Sequence, residues 1–485
     1  MGRKDHAIRI MQCSRDTDRT ENPGRDVLQM SHHESRRGFL RDLASVGAGL
    51  TVLQTTGIAE AARNKRARGS AYVGELVAPR IENLRCAFIG VGSRGAGQLE
   101  RFLEVQGVTV PAIVDPHVPA AEKAAAACEM KGHKKPDLYT GGVHDYKRML
   151  ERDDIDAVVI STPWDWHVPQ AVDAMKANKH VFCEVPFSYT VDGNWEVVET
   201  AEKTQKHCMM LENVCYGREE LMFLNMVQKG VIGDLLHGEA AYIHDLRIQM
   251  KDIEYGTGSW RTLHESKRNG NLYPTHGLGP VAQYMGIDRG EDRFSFLVSI
   301  GSPAKGRAKY ARENFPPDHA RNKARYICGD INSSLIQTEK GRSILLQYDT
   351  TTPRPYTRLN LIQGTKGALA GFPTRVAIEG RANTHEWIEG EKLDPIIQEF
   401  EHPLWKEMGE RAAKTGGHGG MDFLMFWRLV QNLKNGAAMD QNVYEGASWS
   451  VVSALTEASV KKRGRTIDFP DFTRGQWKTT HRAAI

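Results

Sequence analysis

The chain has 485 residues, enough for about two to three domains. Its formal net charge is only +4, from 64 Lys and Arg against 60 Asp and Glu. A charge this small, without a dense Lys/Arg stripe, argues against nucleic acid or an anionic membrane as a partner. The expected partner is a small-molecule or glycan substrate, and the composition leaves a homo-oligomer open.

Residues 1–62 have the layout of a twin-arginine export signal and leader. The motif Ser35-Arg36-Arg37-Gly38-Phe39-Leu40-Arg41 precedes a weakly apolar run from Leu43 to Leu53 and the small residues Ala59-Glu60-Ala61-Ala62. The signal predicts export of the folded protein to the periplasm; the alternative is a basic leader on a cytoplasmic protein. The start codon is Met1 or Met30. No later stretch reaches the roughly 18 apolar residues that a membrane span needs.

Residues 63–83 are interpreted as a linker, and between 84 and 212 apolar strands alternate with amphipathic helices. This alternation is typical of a Rossmann-type parallel sheet with helices on both faces. The predicted strands are Arg85 to Gly90, Thr109 to Asp115, Ala157 to Ser161, His180 to Glu184 and Cys208 to Glu212, and the predicted helices are Ala120 to Lys131, His167 to Ala177 and Val191 to Lys206.

The first strand ends in the glycine pattern Gly90, Gly92 and Gly95, and a helix follows. Such a turn can hold a dinucleotide pyrophosphate on free backbone N–H groups. The second strand ends in Asp115, 20 residues beyond Gly95, where an acid that binds the ribose belongs. Because a carboxylate repels a 2′-phosphate, the pattern predicts NAD rather than NADP. The alternative is a glycine-rich turn in an ordinary α/β protein.

Residues 213–420 are predicted to form an α+β domain with a predominantly antiparallel open sheet, which binds the substrate. After a helix at Glu219 to Lys229, alternating runs predict strands at Leu235 to Leu246, Arg293 to Gly301, Ile331 to Thr338, Ser343 to Asp349 and Arg358 to Gly364. The basic stretch 303–325 is expected to be solvated. Residues 421–485 contain helices, at Met421 to Lys434 and Tyr444 to Val460, which are expected to pack back on the first domain.

No metal site is predicted. The six cysteines that follow the leader contain no C-x-x-C pair and lie mostly in apolar runs, which is typical of small buried side chains. His244, His264 and His276 lack the usual ligand spacing of a zinc site.

Two loops at the carboxyl edge of the first sheet resemble a known superfamily. Ser161-Thr162-Pro163 follows the third predicted strand, and Glu184-Val185-Pro186 follows the fourth. With a Rossmann domain and an antiparallel sheet domain, these loops are similar to the glucose-fructose oxidoreductase (Gfo/Idh/MocA) superfamily of NAD(P)-linked sugar and polyol enzymes. Its dehydrogenases carry a lysine at the position of Val185, which assists proton transfer. An apolar side chain cannot do this, so the departure argues against a plain dehydrogenase.

Further motifs resemble one branch of that superfamily, glycoside hydrolase family 109, the NAD-dependent α-N-acetylgalactosaminidases. The resemblance extends from about Arg85 to Lys461. The motifs are Met210-Leu211-Glu212-Asn213-Val214-Cys215-Tyr216, Trp260-Arg261, Tyr273-Pro274-Thr275-His276-Gly277-Leu278-Gly279-Pro280, Pro353-Arg354-Pro355-Tyr356 and Gly417-His418-Gly419-Gly420-Met421-Asp422.

This resemblance implies site residues by position. NAD would be held, beside the glycine loop, by Ser93, Arg94, Asp115, Trp164, Asp165, Trp166, His167, Glu184, Val185 and Asn213. The sugar pocket would be lined by Tyr242, Arg261, Tyr273, Pro274, Thr275, His276 and Tyr356. Tyr216 and His276 would be the acid/base residues, with Tyr356 as a third candidate for proton transfer.

These residue types suit a redox-neutral glycosidase. Such an enzyme moves a hydride from the sugar C3 to NAD, which requires a base such as His276 for the hydroxyl proton. The ketone acidifies the C2 hydrogen, so that a tyrosine can remove it and the C1–O bond breaks by elimination; water then adds and the hydride returns. Considered singly, a histidine at a helix start and three tyrosines are more typical of structural residues. The alternatives are a sugar or polyol oxidoreductase of the superfamily and a non-catalytic sugar-binding protein.

Overall fold

The structure, a computed structural model, describes Arg63, residues 65–381, Asn383, residues 385–482 and Ile485. The predicted export leader lies outside these residues. None of the described helices combines the length and the hydropathy that crossing a membrane requires.

A parallel sheet of seven strands forms the first part of the chain. Strands β1, β5 and β6 consist almost wholly of buried apolar residues, as expected when helices cover both faces of a parallel sheet. The order is β4-β3-β1-β5-β6-β7, with β2 beside β1. The strands are β1 (Leu84–Ile89), β2 (Val108–Thr109), β3 (Ala112–Val114), β4 (Asp137–Tyr139), β5 (Ala157–Ile160), β6 (His180–Cys183) and β7 (Cys208–Met210).

Five helices connect these strands. Their starts follow local signals: the side chain of Thr190 accepts the N–H of Gly193 at the start of α5, and Pro163 directly precedes α4. The helices are α1 (Ser93–Phe102), α2 (Val118–Met130), α3 (Tyr146–Leu150), α4 (Trp164–Lys176) and α5 (Val191–Thr204).

The second sheet has nine strands and is antiparallel except for one pairing. Strands β8 and β11 run parallel, with Tyr242 opposite Tyr348. The order is β15-β14-β13-β12-β8-β11-β10-β9-β16. The strands are β8 (Leu235–Ile243), β9 (Phe294–Gly301), β10 (Ile331–Thr338), β11 (Ser343–Asp349), β12 (Leu361–Gly364), β13 (Gly367–Ala370), β14 (Arg375–Ile378), β15 (Ile388–Glu389) and β16 (Ile467–Asp468). The predicted fold class, a Rossmann-type sheet followed by a mostly antiparallel sheet, is confirmed.

Helices of the second half surround this sheet and return to the first. They are α6 (Arg218–Gln228), α7 (Thr257–Lys267), α8 (Thr275–Met285), α9 (Gly306–Asn314), α10 (Ala320–Lys323), α11 (Asp394–Phe400), α12 (Pro403–Thr415), α13 (Met421–Asn435), α14 (Val443–Ser450) and α15 (Val452–Lys461), with short 3₁₀ turns at Asn213–Tyr216, Arg247–Lys251, Gly390–Leu393, His418–Gly420 and Gln476–Lys478.

The last helices contact the first sheet's side of the molecule. Phe426 of α13 packs edge-on against Phe102 of α1, with ring centroids 5.5 Å apart. The backbone N–H of Phe187 donates to Oγ of Ser450, 3.0 Å away, at the end of α14. Both sheets belong to one compact unit, Asn64–Ile485. The domain boundaries at 212/213 and 420/421 therefore stay predictions.

The basic stretch 303–325 is not simply solvated, and that expectation is wrong for two of its arginines. Arg307 and Arg321 are only 4% and 8% exposed. Arg307 forms a buried ion pair with Glu265 of α7. Arg321 donates to the backbone oxygens of Met250 and Asp252, at 3.2 and 2.7 Å. The stretch thus supports the segment that leads into α7.

The glycine loop generates a stability prediction. An added Cβ at Gly95 would lie 2.0 Å from the carbonyl oxygen of Gly90, whereas one at Gly97, two residues further along α1, would have no atom within 4 Å. We expect Gly95→Ala to destabilise the fold by about 1–3 kcal/mol or more, since backbone must move. Gly97→Ala should stabilise it by up to about 1 kcal/mol, because alanine favours a helix. Thermal melting of both variants checks this, and equal melting temperatures would contradict it.

Candidate active site

A cavity of about 480 Å³ lies at the carboxyl edge of the first sheet. One wall comes from residues that follow β1, β3, β5 and β6, and the facing wall comes from β8, α7, α8 and the loop before α7. Ligands of open α/β sheets bind at this edge, where neighbouring strands lead to opposite faces. The cavity therefore lies where the cofactor is predicted.

The glycine loop leaves room at the cavity floor. Gly90 has a φ of +85°, and a Cβ there would lie 2.7 Å from the carbonyl oxygen of Ser161. Gly92 and Ser93 line the cavity, and α1 begins at Ser93 with its free N–H groups. The backbone can thus approach a pyrophosphate closely, as a bound dinucleotide requires.

Asp115 lies beside this loop at the end of β3 and lines the cavity. Its Oδ2 accepts the N–H of Val91 and its Oδ1 accepts the N–H of His117, each at 2.9 Å. These two hydrogen bonds fix the carboxylate, and its remaining lone pairs can accept a hydrogen bond from a ribose hydroxyl. This arrangement fits NAD and disfavours a 2′-phosphate.

Arg94 connects the loop to two carboxylates. Its Nε donates to Glu184 Oε1 at 2.6 Å, and its Nη1 and Nη2 donate to the two oxygens of Asp422 at 2.8 and 2.9 Å. Burial opposes ionisation of Asp422, but His418 and Arg94 outweigh it and hold the pKa of this carboxyl well below its usual range. Asn213 donates to the same carboxylate at 2.8 Å. Asn213 therefore orients the network and does not line the cavity.

The loops after β5 and β6 are fastened to each other. Nε1 of Trp164 donates to the carbonyl oxygen of Val185 at 3.3 Å. The two ring nitrogens of His167 lie 2.7 Å from the Pro186 oxygen and 2.9 Å from the Thr162 oxygen. Burial lowers the pKa of His167. These side chains, together with Trp166 and Glu184, line the cavity.

His276 lies on the facing wall, in the first turn of α8. Its Nδ1 is 2.7 Å from Oε1 of Glu212, a carboxylate with no exposed surface. Because a carboxylate accepts, the proton of the neutral imidazole is placed on Nδ1, which leaves the lone pair on Nε2. The Tyr273 hydroxyl lies 3.5 Å from that Nε2. The geometry suits a general base whose tautomer is fixed by Glu212.

Aromatic rings surround the nearby cation Arg261. Its guanidinium carbon lies 5.3, 5.4 and 5.0 Å from the ring centroids of Trp164, Trp260 and Tyr273. Its Nε is buried without a hydrogen-bond partner among the described residues. Burial raises the pKa of Tyr242 to about 12 and that of Tyr273 well above its usual range, so both hydroxyls stay neutral. This wall offers donors to a polar, uncharged ligand.

Several of the residues expected from the sequence do not line the cavity. Gly95 lies beneath the glycine loop, and Pro274 and Thr275 start α8, with Thr275 fully buried. Oδ2 of Asp165 lies 3.6 Å from Nε2 of His264, and Oδ1 of Asp165 accepts a hydrogen bond from the Tyr189 hydroxyl. Their predicted contacts with NAD or sugar stay predictions.

Tyr216 is not placed to act as an acid or base in the cavity, and that expectation is wrong. The side chain is fully buried, its hydroxyl donates to Oδ2 of Asp440 at 3.1 Å, and its carbonyl oxygen accepts from Nε1 of Trp405 at 3.0 Å. Burial and the Asp440 carboxylate raise the pKa of the hydroxyl well above its usual range. The residue faces the C-terminal helices, so it cannot exchange a proton with a ligand in the cavity.

Tyr356 lies at the rim, 41% exposed, and does not line the cavity. Its hydroxyl accepts from Nη1 of Arg358 at 2.7 Å, and its ring packs edge-on against His244. His244 in turn packs against Tyr242, which does line the cavity. The position allows contact with a ligand that protrudes from the cavity, and the role of Tyr356 in proton transfer stays a prediction.

Three residues of the candidate site were not predicted from the sequence. Glu212 lies two residues after the end of β7 and belongs to a motif that carries the family resemblance, so that motif could have identified it. Trp260 precedes Arg261 in another such motif. Tyr255 lines the cavity from a loop with no pattern that could have identified it. Among the described residues, no group of three or more His, Cys, Asp or Glu could hold a metal ion.

Family models match both halves of the chain. Residues 216–479 match the model described as glycosyl hydrolase 109, C-terminal domain, and residues 84–212 match the model described as oxidoreductase family, NAD-binding Rossmann fold. The predicted resemblance and the NAD prediction are confirmed by these matches.

Relatives resemble the chain over most of its length. A glycosyl hydrolase family 109 protein of Shewanella baltica is 53% identical over 453 residues, 92% of this chain and 98% of that protein. An alpha-N-acetylgalactosaminidase of Shewanella oneidensis is 52% identical over 452 residues, with the same shares covered.

Solved structures share the fold at low identity. An oxidoreductase domain protein from Kribbella flavida aligns with a TM-score of 0.62 and 20% identity, covering 80% of this chain and 99% of that chain. A levoglucosan dehydrogenase in complex with NADH and levoglucosan aligns with a TM-score of 0.59 and 17% identity, covering 80% of this chain and all of that chain. With the glycine loop, Asp115 and these matches together, the chain belongs to glycosyl hydrolase family 109 and is a glycoside hydrolase with an NAD-binding Rossmann domain.

Proposed function

We propose that the protein hydrolyses terminal α-linked N-acetylgalactosamine and reuses its NAD at each turnover. The observation that carries the proposal is His276, which lines the cofactor cavity with its Nδ1 held by the buried Glu212, together with the apolar Val185 in the lining of the same cavity. A dehydrogenase of the wider superfamily would place a lysine at Val185. The 52% identity to an alpha-N-acetylgalactosaminidase supports the choice of sugar.

Bound NAD supplies a reversible hydride acceptor for one sugar carbon. His276 Nε2 takes the proton of the hydroxyl on that carbon, and Glu212 stabilises the resulting imidazolium through Nδ1–H. The ketone makes the neighbouring C–H acidic. Once the imidazolium has released the hydroxyl proton to solvent, Nε2 takes the proton of that C–H, and the imidazolium then protonates the glycosidic oxygen as the C1–O bond breaks. Because the Tyr242 and Tyr273 hydroxyls are neutral, they donate hydrogen bonds and the imidazole is the base. The Tyr273 hydroxyl, 3.5 Å from Nε2, relays protons between the imidazole and the ligand.

The activity is tested with the protein as purified and an aryl α-N-acetylgalactosaminide, without added cofactor. We expect release of the phenol with no net NADH formation, together with exchange of the C2 hydrogen for deuterium in heavy water. Release that requires stoichiometric NAD and yields a ketone would indicate the sugar oxidoreductase instead. A protein that binds the sugar and does neither would be a non-catalytic binder.

The proton-transfer pair gives a second prediction. Removal of a positioned base costs about 10²–10⁴-fold in rate, so His276→Ala should lower kcat and C2 exchange by that amount. Glu212→Gln should lower kcat by at least tenfold with little change in KM, because the amide cannot stabilise the imidazolium. Glu219→Gln, at an exposed carboxylate in the same segment, serves as the control. Full activity of Glu212→Gln would contradict the assignment.

We also propose export by the twin-arginine route to the periplasm, supported by the motif from Ser35 to Arg41. Replacement of Arg36 and Arg37 by Lys should retain the protein in the cytoplasm, since that route requires the arginine pair. Replacement of Arg41 alone by Lys is the control. Cell fractionation measures the distribution. An unchanged periplasmic fraction of the double variant would contradict the twin-arginine route, and absence of the unaltered protein from the periplasm would argue for a cytoplasmic protein.

A further inference from the structure

Two aromatic rings meet across the mouth of the cavity. His117 lies just after β3, and Tyr255 lies in the loop before α7, on the facing wall. Their ring centroids are 4.1 Å apart and their planes differ by 21°, so the rings are stacked. Such a pair contributes attraction beyond the area it buries. The contact bridges the two walls on the side of Asp115.

The His117 end of this bridge belongs to the nucleotide site. Its backbone N–H donates to Oδ1 of Asp115, the carboxylate placed for the adenosine ribose. Pro116, Gly142 and Val143 line the cavity on the same side.

The Tyr255 end reaches over the glycine loop. A Cβ at Gly92 would lie 3.0 Å from the Tyr255 hydroxyl oxygen, so this hydroxyl lies directly against the glycine loop. Burial and the nearby Asp115 carboxylate raise the pKa of Tyr255 to about 12, and the hydroxyl remains a donor at neutral pH. One side chain therefore spans both features that bind the dinucleotide.

The loop that carries Tyr255 is fixed at its two ends and exposed at its tip. Nη2 of Arg321 donates to the carbonyl oxygens of Asp252 and Gly258, at 2.7 and 3.2 Å. Between these anchors Ile253 and Tyr255 are 47% and 42% exposed. The stacked ring joins the tip of the loop to the opposite wall.

We propose that Tyr255 and His117 form a clasp over the adenosine half of bound NAD, and that the cofactor leaves only when this stack opens. The glycine loop would hold the pyrophosphate and Asp115 the ribose, and both lie next to the clasp. Opening requires only the exposed tip of the Tyr255 loop to move, because Arg321 keeps the ends in place. The proposal concerns cofactor retention and does not depend on the proposed sugar specificity.

The test measures cofactor retention without any sugar. The full-length protein is purified with its cofactor, and NAD plus NADH per chain is quantified after acid or heat release. The rate of release is then followed on dilution in the presence of an NAD glycohydrolase, which destroys free NAD. The variants are Tyr255→Ala, Tyr255→Phe and His117→Ala, with Ile253→Ala as a control in the same exposed tip.

We expect Tyr255→Ala to release the cofactor at least tenfold faster and to be purified with less of it. His117→Ala should also release the cofactor faster. Tyr255→Phe keeps the ring and should change the rate of release by less than threefold. Ile253→Ala should match the unaltered protein. Release within twofold of the unaltered protein for both alanine variants would overturn the proposal.

Thermal melting shows whether a variant releases the cofactor because it is misfolded. Thermal melting of the cofactor-free proteins should be unchanged, because His117 and Tyr255 are both exposed residues. If Tyr255→Ala fails to fold, His117→Ala tests the clasp from the other wall. Lack of glycosidase activity would count against the proposed function and leave these release measurements intact.

Discussion

The shape of the site depends on one half-buried cation between two buried carboxylates. Arg94 follows the glycine loop directly and is held between Glu184, which follows β6, and Asp422 at the start of α13. Removal of one partner of a buried, hydrogen-bonded ion pair leaves an uncompensated charge, which is far costlier than the loss of an exposed pair. The arginine thus fixes the glycine loop relative to the next cavity loop and to the C-terminal helices. The network explains why a helix more than 300 residues away in sequence, α13, belongs to the nucleotide site.

A second buried carboxylate organises the facing wall. Glu212, which lies just after the last strand of the first sheet, holds His276 in the first turn of α8, so the proposed base is oriented by a residue of the first half of the chain. Arg94 and its carboxylates support the cofactor side of the cavity, while Glu212 and His276 form the pair for which proton transfer is proposed. Val185 between them contributes bulk and no proton. This division suits an enzyme that needs both a hydride acceptor and a base for each sugar.

Local patterns predicted the cofactor side well, because its signals are short-range. Glycines that need positive φ or close approach, an acid at a strand end and alternating strands can all be read along the chain. The exceptions are also local: Pro111 has no N–H to donate, so the strand expected at 109–115 divides into β2 and β3. The directions in which side chains point could not be predicted from local patterns. The 3₁₀ turn Asn213–Tyr216 points Tyr216 to Asp440, 224 residues further on, and Arg307 is buried because Glu265 lies opposite.

Reuse of NAD places a kinetic demand on the fold. A sugar that has lost its hydride is a ketone, and the correct product forms only if the same site still holds that hydride when water has added. Residence of the cofactor must therefore exceed the time of one turnover by a wide margin. A pyrophosphate on a glycine loop and a ribose on Asp115 are shared with enzymes that exchange NAD at every cycle. The additional requirement is met from the opposite wall, where the loop before α7 carries Tyr255 over the nucleotide, while the same helix carries Arg261 into the sugar pocket. One segment therefore couples cofactor retention to the residues that meet the substrate.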